Sequence, residues 1–392
     1  MKPLETITVL EFSTMITASL ASMMLAEQGA RVIKVEPMAM GDPMRYIGSR
    51  KEDISALFAN CNRGKESLRI DLKSELGIQV IKDMVPSVDI VIHNFRPGVM
   101  DRIGLGSEAL RALNPKLIYA AISGFGTTGP MRDAPAYDPI IQSHAGIAAT
   151  QGQGDQPAFM RTLLCDKITG YTACQAVTSA LFMRERTGMG QHIDLSMIDS
   201  GLFFIFLDGF QNHTLLSDDH ERAGMLIDIL YDPWVCSDGG VVISAGSYEM
   251  QKRFLTSIDM PHLLDDPRFA TFENQMRHIQ TLKALVAERC RELSCDDMVA
   301  RLRAVDVPCA KVMTREEVLA QAQLEANGCV DVYDHPIAGK SRRILAPPMF
   351  GGERLQPGTG APGHGEHSQQ VLESFGLSDT TIDELKAKAV VT

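Results

Sequence analysis

The chain has 392 residues and a formal net charge of -11, a sign that repels phosphate backbones and anionic lipid headgroups and argues against a nucleic-acid or membrane-surface partner. Hydrophobic residues at 45% and charged residues at 22% are the balance of a globular protein, and a chain this long is expected to form two domains before one core. Eight cysteines, at 61, 165, 174, 236, 290, 295, 309 and 329, include no CxxC pair, the usage of reduced thiols rather than of a disulfide frame.

The opening MKPLETITVLEF has no basic segment leading into an apolar one, so it is not read as a secretory signal. No uninterrupted apolar run approaches the ~20 residues of a membrane span. A cytoplasmic protein is expected. Ile7 to Phe12 is short, β-branched and apolar, the pattern of a strand. Ala18 to Gln28 has helical propensity, with Gly29 placed as its C-cap. Arg31 to Glu36 alternates as a strand. Glu75 to Val85 predicts a helix, Asp89 to Phe95 a strand, Glu108 to Leu113 a short helix and Leu117 to Ser123 another strand. This βαβαβ rhythm predicts an α/β fold with a doubly wound, Rossmann-like parallel sheet and ligands beyond the carboxyl ends of its strands.

An amphipathic stretch from Asp166 to Arg186 predicts a long helix closed by the turn Thr187 to Gly190, with a strand at His192 to Met197 and an apolar helix after it. Past residue 220 the character changes. A strand pair around Trp234 to Ala245, broken by a turn at Asp238-Gly239-Gly240, leads into charged helical segments and predicts a smaller domain. The tail holds a Gly/Pro-rich loop, Gln356 to Gly365, and a final helical segment, with no internal repeat anywhere.

Several motifs fail on context. Gly358, Gly360 and Gly363 satisfy G-x-G-x-x-G, but no strand precedes them and Pro362 lies inside, so an exposed surface loop is expected. The turn after the first strand, Ser13 to Ala18, has no glycine, and NAD is not expected. His364, Glu366 and His367 sit in a loop rather than on one helix face, which predicts exposed polar residues and no metal site. No G-x-S-x-G elbow offers a serine nucleophile.

Other segments carry a resemblance. VLEF, then LAEQGARVIKVEPMAMGDPMR (Leu25 to Arg45), NCNRGKESLRIDLK (Asn60 to Lys73), NFRPGVMDRIGLG (Asn94 to Gly106) and NPKLIYAAISGFGTTGP (Asn114 to Pro130) follow in order. Ala136-Tyr137-Asp138, CDKITG (Cys165 to Gly170), ALFMRERTGMGQHIDLSM (Ala180 to Met197) and GEHSQQVLESFGLSDTTIDEL (Gly365 to Leu385) continue the series. Together they resemble family III CoA-transferases, the group of formyl-CoA and carnitine CoA-transferases, whose superfamily also holds 2-methylacyl-CoA racemases. The likeness spans nearly the whole chain and is weakest between residues 200 and 320.

The resemblance implies a large Rossmann-like CoA-binding domain made by both chain ends, a smaller α/β domain and an interlocked homodimer. Mapped here, residues 1–200 start the large domain, 201–225 link, 226–325 form the small domain, and 326–392 return and complete the large one. It implies a reaction in which an aspartate attacks an acyl-CoA thioester, giving an aspartyl mixed anhydride through which CoA passes to a small carboxylic acid. Asp166 is the matching position. CoA is then a substrate, with no tightly bound cofactor. The same resemblance places CoA at Thr14, Met15, Ile16, Ile70, Lys73, Asn94, Arg102 and Ile103.

Read as residues, these positions keep ordinary alternatives. Asp166 opens a helical stretch, where aspartate is a common N-cap, and a carboxylate there is also oriented by the helix dipole. Tyr137 stands where the racemases carry histidine; a phenol with a pKa of ~10 is a poor proton shuttle, which favours transfer, although packing of an aromatic ring is the plain reading. Asp138 positions the acceptor or caps a turn. Lys73 and Arg102 are phosphate partners or solvated surface charges. Two departures from the family pattern stand out: Ala18-Ser19-Leu20 replaces Ala-Gly-Pro, and no glycine run occurs between 200 and 260. That leaves Gly246, in Ser244 to Met250, as the candidate loop over the acyl group. An acyl-CoA racemase or isomerase using Asp138 and Asp166 as bases is the alternative activity.

Overall fold

Buried apolar strands alternate with helices through the first half of the chain. The computed structural model describes residues 2–152, 156–217, 219–220, 232–356 and 358–392. In chain order its first elements are β1 (Thr8–Phe12), α1 (Ile16–Glu27), β2 (Arg31–Glu36), the two-residue strands β3 (Arg50–Lys51) and β4 (Ile54–Ser55), α2 (Ala56–Asn62), β5 (Lys65–Arg69) and α3 (Glu75–Met84). There follow β6 (Ile90–His93), α4 (Val99–Arg102), α5 (Ser107–Leu113), β7 (Ile118–Ser123), α6 (Asp138–His144), α7 (Ile147–Gln151), α8 (Leu164–Thr187), β8 (His192–Ser196) and α9 (Met197–Gly209). Internal contacts divide the chain into two compact units, Met1–Gly209 with Asn327–Thr392, and Phe210–Ala326.

Six parallel strands pair in the order β5-β2-β1-β6-β7-β8. The chain winds outward from β1 to β5, then returns past β1 to β6. That reversal is the topological switch point of a doubly wound sheet. Alternate strand residues point to opposite faces, and both faces are covered. Val9, Val32, Ile90 and Ile118 pack with Ala18, Ala21 and Leu25 of α1 and Ala173 and Val177 of α8. Leu10, Phe12, Ile33 and Val91 pack with Ile81 and Met84 of α3, and with Val371, Leu372, Ile382 and Leu385 from the C-terminal helices Ser368–Ser374 and Asp379–Ala387. Double burial is why these strands read as apolar runs.

The small residues shared by α1 and α8 let the two helices approach closely. Gly170 marks the nearest point: a Cβ there would lie 2.9 Å from the Thr17 carbonyl oxygen. Only glycine fits.

Three sequence expectations shift. Residues 201–209, expected inside a linker, complete α9. Gly239 and Gly240 are strand residues paired with Cys236 and Val235, so the hairpin turn is Ser237-Asp238. The Gly/Pro-rich loop is not simply exposed. Ala361 is buried, its carbonyl lies 2.8 Å from His335 Nε2, and the Pro362 carbonyl accepts from Arg45 at 3.0 Å. His364 and His367 meet the Pro37 carbonyl and the Ser67 amide, and Glu366 accepts from the Gly363 amide. The two histidines tie the tail to the end of β2 and to β5, Glu366 closes a turn within the tail, and no cluster of metal-ligating groups occurs among the described residues.

In the second unit a three-stranded antiparallel sheet, Cys309–Lys311 beside Gly239–Ile243 beside Trp234–Cys236, is covered by helices whose Phe254, Leu255, Val286, Met298 and Leu302 form its core. Gly246 precedes the helix Tyr248–Ser257, capped by the Ser247 hydroxyl. Residues 226–231 of the expected small domain lie outside the described residues. No helix among the described residues is long and apolar enough to cross a membrane.

Candidate active site

The loops that leave β1 and β6 meet at the switch point. Asn94 clamps them: its Oδ1 accepts from the Thr14 amide at 3.1 Å and its Nδ2 donates to the Thr14 carbonyl at 2.6 Å. The next residue, Met15, has φ 63° and ψ -159°, a conformation that costs a non-glycine residue of order 1–3 kcal/mol and persists only when its surroundings enforce it. Asp42 does so, accepting from the Met15 amide at 3.1 Å and from the Met44 amide at 2.9 Å.

Asp42 is anchored from below by charges with no access to solvent. Lys34 Nζ lies 3.0 Å from Asp42 and 2.8 Å from Glu11, and Lys65 Nζ lies 2.7 Å from Glu11. Burial alone would raise the Glu11 carboxyl, but Lys34 and Lys65 hold it down at about 2. Burial likewise opposes the Lys34 ammonium, which Glu11 and Asp42 keep above the ordinary lysine value. Lys65, for which burial dominates, is lowered to about 8. Beside this group Arg45 pairs with Glu36 at 2.6 Å and stacks over Phe58 at 3.8 Å.

α8 begins at Leu164 with no side-chain cap from its own N-terminal residue, Leu163. The cap arrives from α6. Asp138 Oδ2 accepts from the Cys165 amide at 2.6 Å and from the Asp166 amide at 3.2 Å, while Gln142 Nε2 donates to Asp138 Oδ1 at 2.5 Å. Asp166 therefore sits inside the first turn with its own carboxylate released from capping. Asp166 as a residue is 9% exposed, and its Oδ1 accepts a 2.6 Å hydrogen bond from the Thr17 hydroxyl. Burial pushes its pKa up, the Thr17 bond pulls it down, and the Asp138 charge adds to the rise; the net direction is upward.

Thr14, Met15, Asn94, Tyr137, Asp138 and Asp166 line one cavity of about 310 Å³, together with Thr17, Arg96 and Arg132. Tyr137 is 67% exposed at its rim. The remaining sequence candidates lie elsewhere. Ile16 packs its side chain with Met44, Ile54 and Phe58, and Ile70 is part of the core under β5 and α3. Lys73 and Arg102 are exposed and Ile103 is half-buried; none of these five lines the cavity. Arg102 does come near it, because Arg102 Nη1 and Arg132 Nη2 lie 3.5 and 4.0 Å from the point where a Cβ on Gly98 would be.

Sequence reasoning missed Thr17, Arg96 and Arg132. Arg96 stands inside the NFRPG segment that follows β6 and was legible from its place beyond a strand end. Thr17 carried no local signal, because its partner is on a helix far along the chain.

The arrangement offers a partly desolvated carboxylate at a helix start, in a cavity also lined by Arg96 and Arg132, cations suited to anions. Comparison with known proteins agrees in kind. The family model described as CoA-transferase family III matches residues 4–368. The chain is 30% identical to a succinyl-CoA–D-citramalate CoA-transferase of Chloroflexus aurantiacus, covering 100% of this chain and 98% of that protein. It is 28% identical to a formyl-CoA:oxalate CoA-transferase of Escherichia coli, over 98% of each. A crystal structure of a CAIB/BAIF family protein from Brucella suis superimposes with a TM-score of 0.85 at 31% identity, covering 95% of this chain and 99% of that one.

Proposed function

The chain belongs to CoA-transferase family III and is a transferase of CoA thioesters, and from that premise we propose that Asp166 is the covalent nucleophile that carries CoA from an acyl-CoA donor to a carboxylic acid. The observation that carries this reading is the environment of Asp166: nearly buried, freed from capping by Asp138, and lining the switch-point cavity. A carboxylate attacks a thioester carbonyl well only where water does not compete for its charge.

Atom balance sets the steps. Asp166 Oδ2 attacks the thioester carbonyl, the C–S bond breaks, and an aspartyl-acyl anhydride forms with release of the CoA thiolate. The thiolate then attacks Cγ of Asp166, the Cγ–Oδ2 bond breaks, and the donor acid leaves as its carboxylate. The acceptor carboxylate attacks Cγ of the resulting aspartyl thioester, expelling the thiolate and forming a second anhydride. Finally the thiolate takes the new acyl group and Asp166 is restored. Every nucleophile and leaving group is an anion, so no proton moves.

CoA is the exchanged substrate, its reactive end held at Thr14, Met15 and Asn94 and its phosphates drawn to Lys73 and Arg102, with Ile16, Ile70 and Ile103 shaping the surrounding backbone. Tyr137 and Asp138 complete the catalytic group, the first at the rim and the second through the α8 cap. The protein works as an interlocked homodimer in the cytoplasm. Two-base racemisation is not favoured: Tyr137 is a phenol, and both oxygens of Asp138 are engaged.

The test is an acid-dependent CoA transfer assay over a panel of acyl-CoAs, with deuterium at the acyl α-position followed in parallel. Transfer that vanishes in Asp166→Asn supports the proposal. Deuterium exchange without acid-dependent transfer assigns the protein to racemisation instead.

A further inference from the structure

In the four steps above, negative charge builds on a substrate oxygen in the first and last, and on Asp166 Oδ1 in the middle two. Those middle steps need a donor at Oδ1. The backbone donors at the start of α8 are occupied, since Asp138 takes the amides of both Cys165 and Asp166. The Thr17 hydroxyl is in place, 2.6 Å from Oδ1, with Thr17 only 2% exposed. Its position is set by rigid elements. Thr17 lies in the first turn of α1 beside the strained Met15 peptide that Asp42 fixes. On the other side, Gly170, one turn beyond Asp166, allows α8 to close against the Thr17 backbone.

We propose that the Thr17 hydroxyl is the oxyanion donor for attack at the aspartyl carbonyl, which makes it a catalytic residue of the thiolate and acceptor steps and not of the initial attack on the donor thioester. The proposal rests on Asp166 being the covalent nucleophile. As each tetrahedral centre forms at Cγ, Oδ1 passes from carbonyl to oxyanion without leaving the hydroxyl. A hydrogen bond already formed in a water-poor pocket strengthens as charge develops, with no reorganisation at the moment of reaction. The same contact also biases which oxygen attacks: Oδ1 is held, so Oδ2 is the nucleophile.

The half-reactions separate this role from packing. Wild type, Thr17→Val and Thr17→Ser are mixed with an acyl-CoA, quenched, and the mass and hydroxylamine sensitivity of the Asp166 peptide recorded against time. Steady-state transfer to the acid is measured alongside. The expected result is that Thr17→Val loses ~10²–10³-fold in kcat, the loss for a missing oxyanion donor. Its anhydride on Asp166 forms at close to the wild-type rate and accumulates, and Thr17→Ser recovers most of the turnover. Turnover of Thr17→Val within a few-fold of wild type overturns the proposal, as does loss of adduct formation in the same proportion as turnover. Absence of any adduct in the wild type removes the covalent reading itself, a separate outcome from an adduct that forms normally and turns over without the hydroxyl.

Discussion

The carboxylate of Asp138 spends both oxygens inside the protein, one on Gln142 and one on two amides of α8. Aspartate before a helix reads as its cap, and by that rule Asp166 looks like the cap of its own helix. The structure separates the roles: a residue from α6 caps, and the Asp166 carboxylate is turned instead to the Thr17 hydroxyl. No local pattern could show this, because the pairing spans two helices. Asp138→Ala leaves those amides unpaired and is expected to cost ~0.5–2 kcal/mol, the usual range for a lost cap, together with a fall in CoA turnover as Asp166 loses its anchor. Asp138→Asn, which keeps an oxygen acceptor, should recover part of both. Urea melts and turnover measured on the same samples check this; lowered stability with unchanged turnover would sink the idea that Asp138 serves the site.

At the level of elements, the central strands were legible because burial on both faces makes them apolar, and β1, β2, β6 and β7 stand within two residues of their expected bounds. β5 was not. It reads Lys-Glu-Ser-Leu-Arg, with Leu68 its one apolar core residue, and its other buried side chains are the polar Lys65 and Ser67. Lys65 joins Glu11, and Ser67 donates to Glu36 at 2.7 Å. Glu11 and Glu36 both sit at about 2, against an ordinary value of 4.5. For Glu36, burial would raise the carboxyl but Arg45 outweighs it. A folded value below the unfolded one means that stability is fully present above pH 4.5 and lost as the pH falls towards about 2. Acid titration by circular dichroism is expected to show that transition. Arg45→Ala, which strands Glu36 in the core, should lower stability by ~3–5 kcal/mol at neutral pH. An Arg45→Ala protein as stable as wild type would show that the pair does not support this end of the sheet.

For the whole molecule, length pointed to more than one unit, the βαβαβ rhythm to an α/β fold, and the order of segments carried the family. The limits of the units were less visible, because the apolar α9, Met197–Gly209, runs past residue 201, where the linker was expected to begin. α9 presents Phe203 at 75% and Leu207 at 77% exposure, an apolar face that is costly in water. Coverage by a second copy, as an interlocked dimer requires, predicts a dimer in sedimentation velocity and a folded monomer for Leu207→Glu; a wild-type monomer at micromolar concentration would contradict it. The fold and its buried charges converge on Asp166, and the most direct measurement is made on that group. The protein is incubated with a panel of acyl-CoAs, quenched, and its Asp166 peptide weighed before and after hydroxylamine. A hydroxylamine-sensitive adduct on Asp166, absent from Asp166→Asn, is the predicted result. Turnover by the wild type with no adduct on that peptide, or transfer that survives in Asp166→Asn, would contradict the covalent role of Asp166.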